Sequence, residues 1–172
     1  MRRFIFVPLL AAVLGAGCED DPPTEPTPAT PTFTATLQPQ NEVPAVTSVE
    51  ASCSGTVTIR LNLTRDSAQV ITAGTADFTA NITGCPTSTN VTAAHIHENV
   101  AGVNGDIRVN TGIASGTVPL VAGAGSFTAN GRSATEVAVF QRILDNPAGF
   151  YFNIHSTMHG GGFIRGQLVR QQ

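Results

Sequence analysis

The chain contains no lysine. Schiff-base chemistry and a phosphate-binding P-loop both need that amine, so neither is open to it. No G-x-S-x-G elbow occurs. The serine that adjoins a histidine, Ser156 after His155, sits in a strand pattern in which neighbours face opposite ways, which argues against nucleophilic hydrolysis by that pair. Charge is scarce, at 12% of residues. Without Arg2 and Arg3, seven of the nine basic residues face twelve acids, a net charge of about −5 with no basic cluster. Nucleic acid is therefore not an expected partner. Cysteine is limited to three residues, none in a C-x-x-C, which speaks against a dithiol redox or zinc-thiolate role. A parallel sheet would need several crossover helices, and the sequence offers one short helical segment.

What is present begins with a targeting signal. Arg2 and Arg3 precede an apolar run, Phe4 to Leu14, that is too short to span a bilayer, and Gly15-Ala16-Gly17 leads into Cys18. Residues 1–17 thus read as a signal peptide. Cys18 resembles the cysteine of a bacterial lipobox, with a departure at Gly15, where a larger aliphatic residue is usual; ordinary cleavage at small-x-small is the alternative. Residues 18–32 carry five prolines among threonines and acids, and cannot bury apolar surface. Such a spacer reaches roughly 40 Å at about 3 Å per residue, which suits a tether from a lipid on Cys18. The other two cysteines, Cys53 and Cys85, form an even pair in an exported chain, and a disulfide is expected; two buried thiols are the alternative.

Residues 33–172 suffice for one domain. Alternation of period two dominates it: Phe33, Ala35 and Leu37 share one face, Val57, Ile59, Leu61 and Leu63 another, Phe78, Ala80 and Ile82 a third. Further strands are predicted over 91–97, 106–110, 116–121, 126–129, 150–155 and 163–169. A helix is predicted over 134–145, with Val137, Phe140, Ile143 and Leu144 on one side and Pro147 ending it. The expectation is an all-β antiparallel Greek-key sandwich or barrel, immunoglobulin-like or superoxide-dismutase-like, with one short helix.

All four histidines lie in two places, His95-x-His97 and His155-x-x-x-His159. Strand residues two apart share a side, so His95 and His97 can offer two imidazoles to one ion, and His155 with His159 could complete a site for copper or zinc. Alternatively the two are polar-face residues bonded to neighbouring strands. Glu98 and Asp106 flank the following loop as candidates to orient an imidazole, or as ordinary turn residues. Glu42 and Arg165 would form an ion pair if the terminal strands meet.

Read together, Phe33-Thr34-Ala35-Thr36-Leu37 leading to Glu42-Val43-Pro44, AAHIHENVAGVNGDI at 93–107, FYFNIHS at 150–156 and GGFIRGQL at 161–168 resemble a chordin (CHRD) domain. The resemblance implies an all-β extracytoplasmic domain without established catalysis, and places its signature histidine and asparagine elements on His95, His97, Asn153 and His155. Phe163 stands where an acid is usual, and His159 where a non-histidine turn residue is usual. A more distant similarity is to copper-zinc superoxide dismutase, whose two metals need six histidines and an aspartate; four histidines cannot reproduce it. The functional expectation is a non-enzymatic lipoprotein of the cell envelope, held to the membrane through Cys18, that presents this domain to an unidentified envelope partner. The alternative is a copper or zinc protein using His95, His97 and His155, with His159 as fourth ligand.

Overall fold

The computed structural model describes residues 30–172. The expected signal peptide, Cys18 and the expected spacer up to residue 29 lie outside the described residues; of the residues read as spacer, Thr32 already opens the first strand. The elements are β1 (Thr32–Leu37), β2 (Ser54–Arg65), β3 (Ile71–Thr83), β4 (Val91–Glu98), β5 (Asp106–Asn110), β6 (Gly125–Arg132), α1 (Ala138–Asp145), β7 (Phe150–Ser156), β8 (Ile164–Gln167) and β9 (Val169–Arg170). Two sheets form, in the orders β6-β3-β2-β1-β9 and β5-β4-β7-β8, with every pairing antiparallel. The chain crosses between the sheets after β3, β5, β6 and β8. The result is a sandwich, as the alternation predicts, and not a closed barrel.

Period two sets which residues meet between the sheets. In β2, Val57, Ile59 and Leu61 are buried while Thr56, Thr58, Arg60 and Asn62 are exposed. Ala94 and Ile96 of β4 and Phe152 and Ile154 of β7 supply the facing layer. Phe78 and Phe152 stack across the interface with ring centroids 5.6 Å apart. Each such buried side chain contributes roughly 1.5–3 kcal/mol relative to exposure. Phe163 is fully buried in this core, so the phenylalanine at that position serves packing. Cys53 and Cys85 are joined as a disulfide, 32 residues apart. Closing a loop of that length stabilises by about 3–4 kcal/mol on the chain-entropy account.

Three predicted segments differ. Residues 116–121 form no strand: Gly116, Ala122 and Gly123 take positive φ, Pro119 has no N–H to donate, and only Val121 makes a bridge, to Ala124. The run 163–169 divides at buried Leu168, β8 pairing in one sheet and β9 in the other. The helix starts at Ala138 because Ala134 bridges Val109 and the Thr135 N–H donates to the Arg108 carbonyl, which ties those residues to β5 and leaves the chain to turn into the helix only after them. Its buried side is Val139, Phe140 and Ile143, with Val137 turned out.

The sheets are stitched where β1 ends. Gln38 and Arg165 exchange two backbone hydrogen bonds, of 3.0 and 3.2 Å. The next residue, Gly166, lies so close to β1 that a Cβ there would collide with the Thr36 carbonyl. The outer face of the β5-β4-β7-β8 sheet is covered in turn, because residues 39–52 and the 99–105 loop fold over it; every residue of β7 is buried on both sides. Gly166→Ala is expected to lower the unfolding free energy by about 1–3 kcal/mol. Gly160→Ala, whose Cβ would meet nothing within 4 Å, should change it by less than about 0.5 kcal/mol. Urea denaturation measures both, and equal stabilities would refute the close approach.

Candidate metal centre

β4 presents His95 and His97 on its outer side, away from Ala94 and Ile96. Register places Asn153 of β7 opposite His95, Tyr151 opposite His97, and His155 opposite Ala93, so the third ring reaches the first two diagonally. His95 Nδ1 lies 2.9 Å from His155 Nε2. One ligating nitrogen from each of the three rings falls within 4.8 Å of the others. All three residues are 8% exposed, because the covering loops seal what would otherwise be an open polar face.

The tautomers follow from the outer hydrogen bonds. His97 Nδ1 donates to the Gly105 carbonyl at 2.8 Å, and His155 Nδ1 donates to the Gly160 carbonyl at 3.0 Å. A carbonyl only accepts, so those protons are fixed, and in the neutral rings both Nε2 atoms carry lone pairs. His155 Nε2 accepts from His95 Nδ1. His97 Nε2 is buried and makes no well-formed hydrogen bond, although Asn153 lies close enough to favour the protonated ring. Burial, reinforced by the charges of His155 and His97, pushes His95 down to about 4. Burial also lowers His97, against the Gly105 carbonyl that favours its protonated form, and lowers His155 against the Gly160 carbonyl. Near neutral pH the three rings are thus uncharged and need lose no proton to bind a cation.

A stacked set holds this arrangement. The His97 ring lies parallel to the Tyr151 ring, 4° between planes and 4.9 Å between centroids. The Arg165 guanidinium carbon sits 3.3 Å from the centroid of the same phenol, which is held between the two. Arg165 is 1% exposed and donates to the carbonyls of Val100 and Val103 and to Asn104 Oδ1.

The other expected site residues are placed differently. His159 does not join the three rings: its Nδ1 lies 2.6 Å from Glu50 Oε2, and its Nε2 is 3.4 Å from Ser48 Oγ. The turn after β7 sends the Gly160 carbonyl back to His155 and the His159 ring toward buried Glu50, which also accepts from Ser156 Oγ at 2.7 Å. Glu98 and Asp106 orient no imidazole. Glu98 takes Arg108 and Arg142, each at 2.7 Å, tying α1 to β4 and β5, and those arginines hold its carboxyl below the usual range. The Asp106 side chain is 87% exposed. The orienting role falls instead to backbone carbonyls in glycine turns, which side-chain spacing cannot reveal. Nor do Glu42 and Arg165 make an ion pair, since the guanidinium is committed to the 99–104 loop. Glu42 lies beside Asn153 over Gly162, where a Cβ would strike both. Burial pushes its carboxyl up to about 7 although the Arg165 charge pulls the other way. Glu50 and the two glycine carbonyls are the participants that sequence reasoning missed.

These shifts give the metal-free protein a definite pH response. Its three neutral rings would protonate on unfolding, so acidification below about 6.5 favours the unfolded chain, continuing to about 4 for His95. Glu42 acts oppositely, its contribution being full below 4.5 and lost as pH rises through about 7. Three rings outweigh one carboxyl, and the thermal midpoint in chelator is expected to fall from pH 6.5 to 5, less steeply in His95→Asn. A midpoint that stays level or rises over that interval would contradict the burial of neutral imidazoles.

The CHRD domain family model matches residues 33–168. No curated protein and no solved structure matches the chain. The matched span runs from β1 to the corner at Leu168 and takes in His95, His97, His155, Asn153 and Arg165, so by sequence this chain belongs to the CHRD domain family.

Proposed function

We propose that this protein is an exported metal-binding domain of the bacterial cell envelope, anchored by lipid on Cys18 and taking copper or zinc at His95, His97 and His155. One observation carries the metal reading. Two outer ring nitrogens are fixed as donors by backbone carbonyls, which turns lone pairs toward a common point, and one of these, on His97 Nε2, is buried without a well-formed hydrogen bond. Outer hydrogen bonds of this kind orient imidazoles for metals and raise their basicity. A buried acceptor left unmatched costs about 1–3 kcal/mol unless something occupies it.

The reading is non-enzymatic. The three rings lie beneath two covering segments, so a substrate would have to displace the roof before reaching an ion there. This favours holding or delivering a metal over turning over a molecule at it. The basic start, short apolar run and Cys18 motif support the envelope address, and the proline-rich segment supports a spacer between lipid and domain.

The mature protein, loaded and desalted, is expected to carry stoichiometric copper or zinc by elemental analysis. His97→Ala and His155→Ala should lose it, while His159→Ala should retain it because that ring serves Glu50. Trace metal in the unaltered protein, or equal loss in His159→Ala, would overturn the three-histidine assignment.

For the anchor, Cys18→Ser is expected to move the protein from the membrane to the soluble extracytoplasmic fraction and to abolish acyl labelling. Unchanged fractionation would remove the lipid from the proposal.

A further inference from the structure

We infer that the ion this site selects is copper(I), held by three nitrogens, in preference to zinc(II) or copper(II). The inference rests on the three-histidine reading and adds the charge and coordination number of the occupant. Among the described residues no carboxylate or thiolate joins the three rings, so the ligand set is neutral. The nearby fixed charge is positive: the buried Arg165 guanidinium stacks on Tyr151, which stacks on His97, and its field reaches that imidazole. Glu42 faces Asn153 and Gly162, and neither of its oxygens belongs to the ligating group.

Moving an ion from water into such surroundings carries a desolvation penalty that grows with the square of its charge. A dication beside a guanidinium, with no anionic ligand, meets that penalty in full and adds repulsion. A monovalent ion meets a much smaller one. Coordination number points the same way. Zinc is almost always four-coordinate in proteins, with water or hydroxide completing a three-ligand site, and copper(II) favours a tetragonal set. Here the residue that sequence offers as fourth ligand, His159, is engaged by Glu50 at 2.6 Å. The closed-shell copper(I) ion accepts three neutral nitrogens and needs neither a fourth donor nor an accompanying anion. Burial of the rings at 8% exposure removes the solvent from which a dication would recruit one.

The test is a set of chelator competitions on the mature protein at pH 7: bicinchoninate for copper(I) without oxygen, and pyridylazoresorcinol for zinc(II) and copper(II). Copper(I) is expected to bind more tightly than either dication by over about tenfold, and His97→Ala to weaken it by at least a similar factor. X-ray absorption of the copper(I) form should give three nitrogen ligands. Equal or tighter binding of zinc(II) or copper(II), or a fourth ligand in the copper(I) form, would overturn the selectivity while leaving the metal centre standing. Failure to bind any of the three ions would overturn both.

Discussion

The arrangement of this domain depends on one buried cation, Arg165. Its backbone pairs with Gln38 and so joins the two sheets at their shared corner. Its side chain, on the outer face of the second sheet, gathers the carbonyls of Val100 and Val103 with Asn104 Oδ1, and so fixes the loop that covers this face. Asn104 in turn donates to the Val43 carbonyl, which brings in the second covering segment. A guanidinium suits this position because its planar fork supplies several donors at once and its face stacks on Tyr151. An aliphatic residue could fill the volume but would leave a row of loop carbonyls without partners. Removing the charge would therefore loosen the roof, whose carbonyls the side chain serves, while the backbone seam with Gln38 keeps its donors and acceptors.

The roof is secured at its other end by different chemistry. Residues 39–52 run from the Gln38–Arg165 bridge to the disulfide at Cys53, and close to the disulfide Glu50 receives Ser156 and His159. Ser52 Oγ donates to the Gly84 carbonyl at 2.7 Å, which aligns the segment with the turn before Cys85. Backbone pairing, an acid with two side-chain donors and a covalent bond thus hold one irregular segment over β7. This explains how a stretch with little regular structure can bury a polar sheet face. It also explains why His159 serves as a clasp and leaves the three other rings to meet alone.

The sequence made the sandwich legible because alternation reports directly on which side of a strand is buried. The pairing of His95 with His97 was legible for the same reason, since two residues apart on a strand means one side. Other parts were not, each for a physical reason. The direction of His159 depends on a turn of glycines whose conformation their neighbours do not dictate. The hydrogen bonds that orient His97 and His155 come from the carbonyls of Gly105 and Gly160, and every residue has a carbonyl. Glu50 looks like a surface acid until the segment that carries it folds onto Ser156 and His159. Glu42 and Arg165 do come near each other, as the terminal strands suggest, but loop carbonyls compete for the guanidinium and take it. Residues 116–121 alternate like a strand, yet positive φ at Gly116 and, just beyond the run, at Ala122 and Gly123 turns the chain at both ends.

The roof and the three rings also bear on each other energetically. Closing the roof strips water from His97 Nε2, Asn153 Oδ1 and Glu42 Oε1, all buried and without a well-formed hydrogen bond. A fold that hides such atoms gives up stability that a looser roof would retain, because each forgoes hydrogen bonds to water. The closed form becomes favourable when what it encloses recovers that loss, and the proposed cation at the ring nitrogens would do so for His97. Binding free energy at a site of this kind then appears as stability of the closed roof. On the proposed copper(I) assignment, the closure that would discourage a dication, by removing the water and anions it would need, would strengthen the hold on a monovalent ion once inside. The proposed selectivity and the stability of the domain would then share one cause, the covering of a polar sheet face by two segments that Arg165 and Glu50 keep in place.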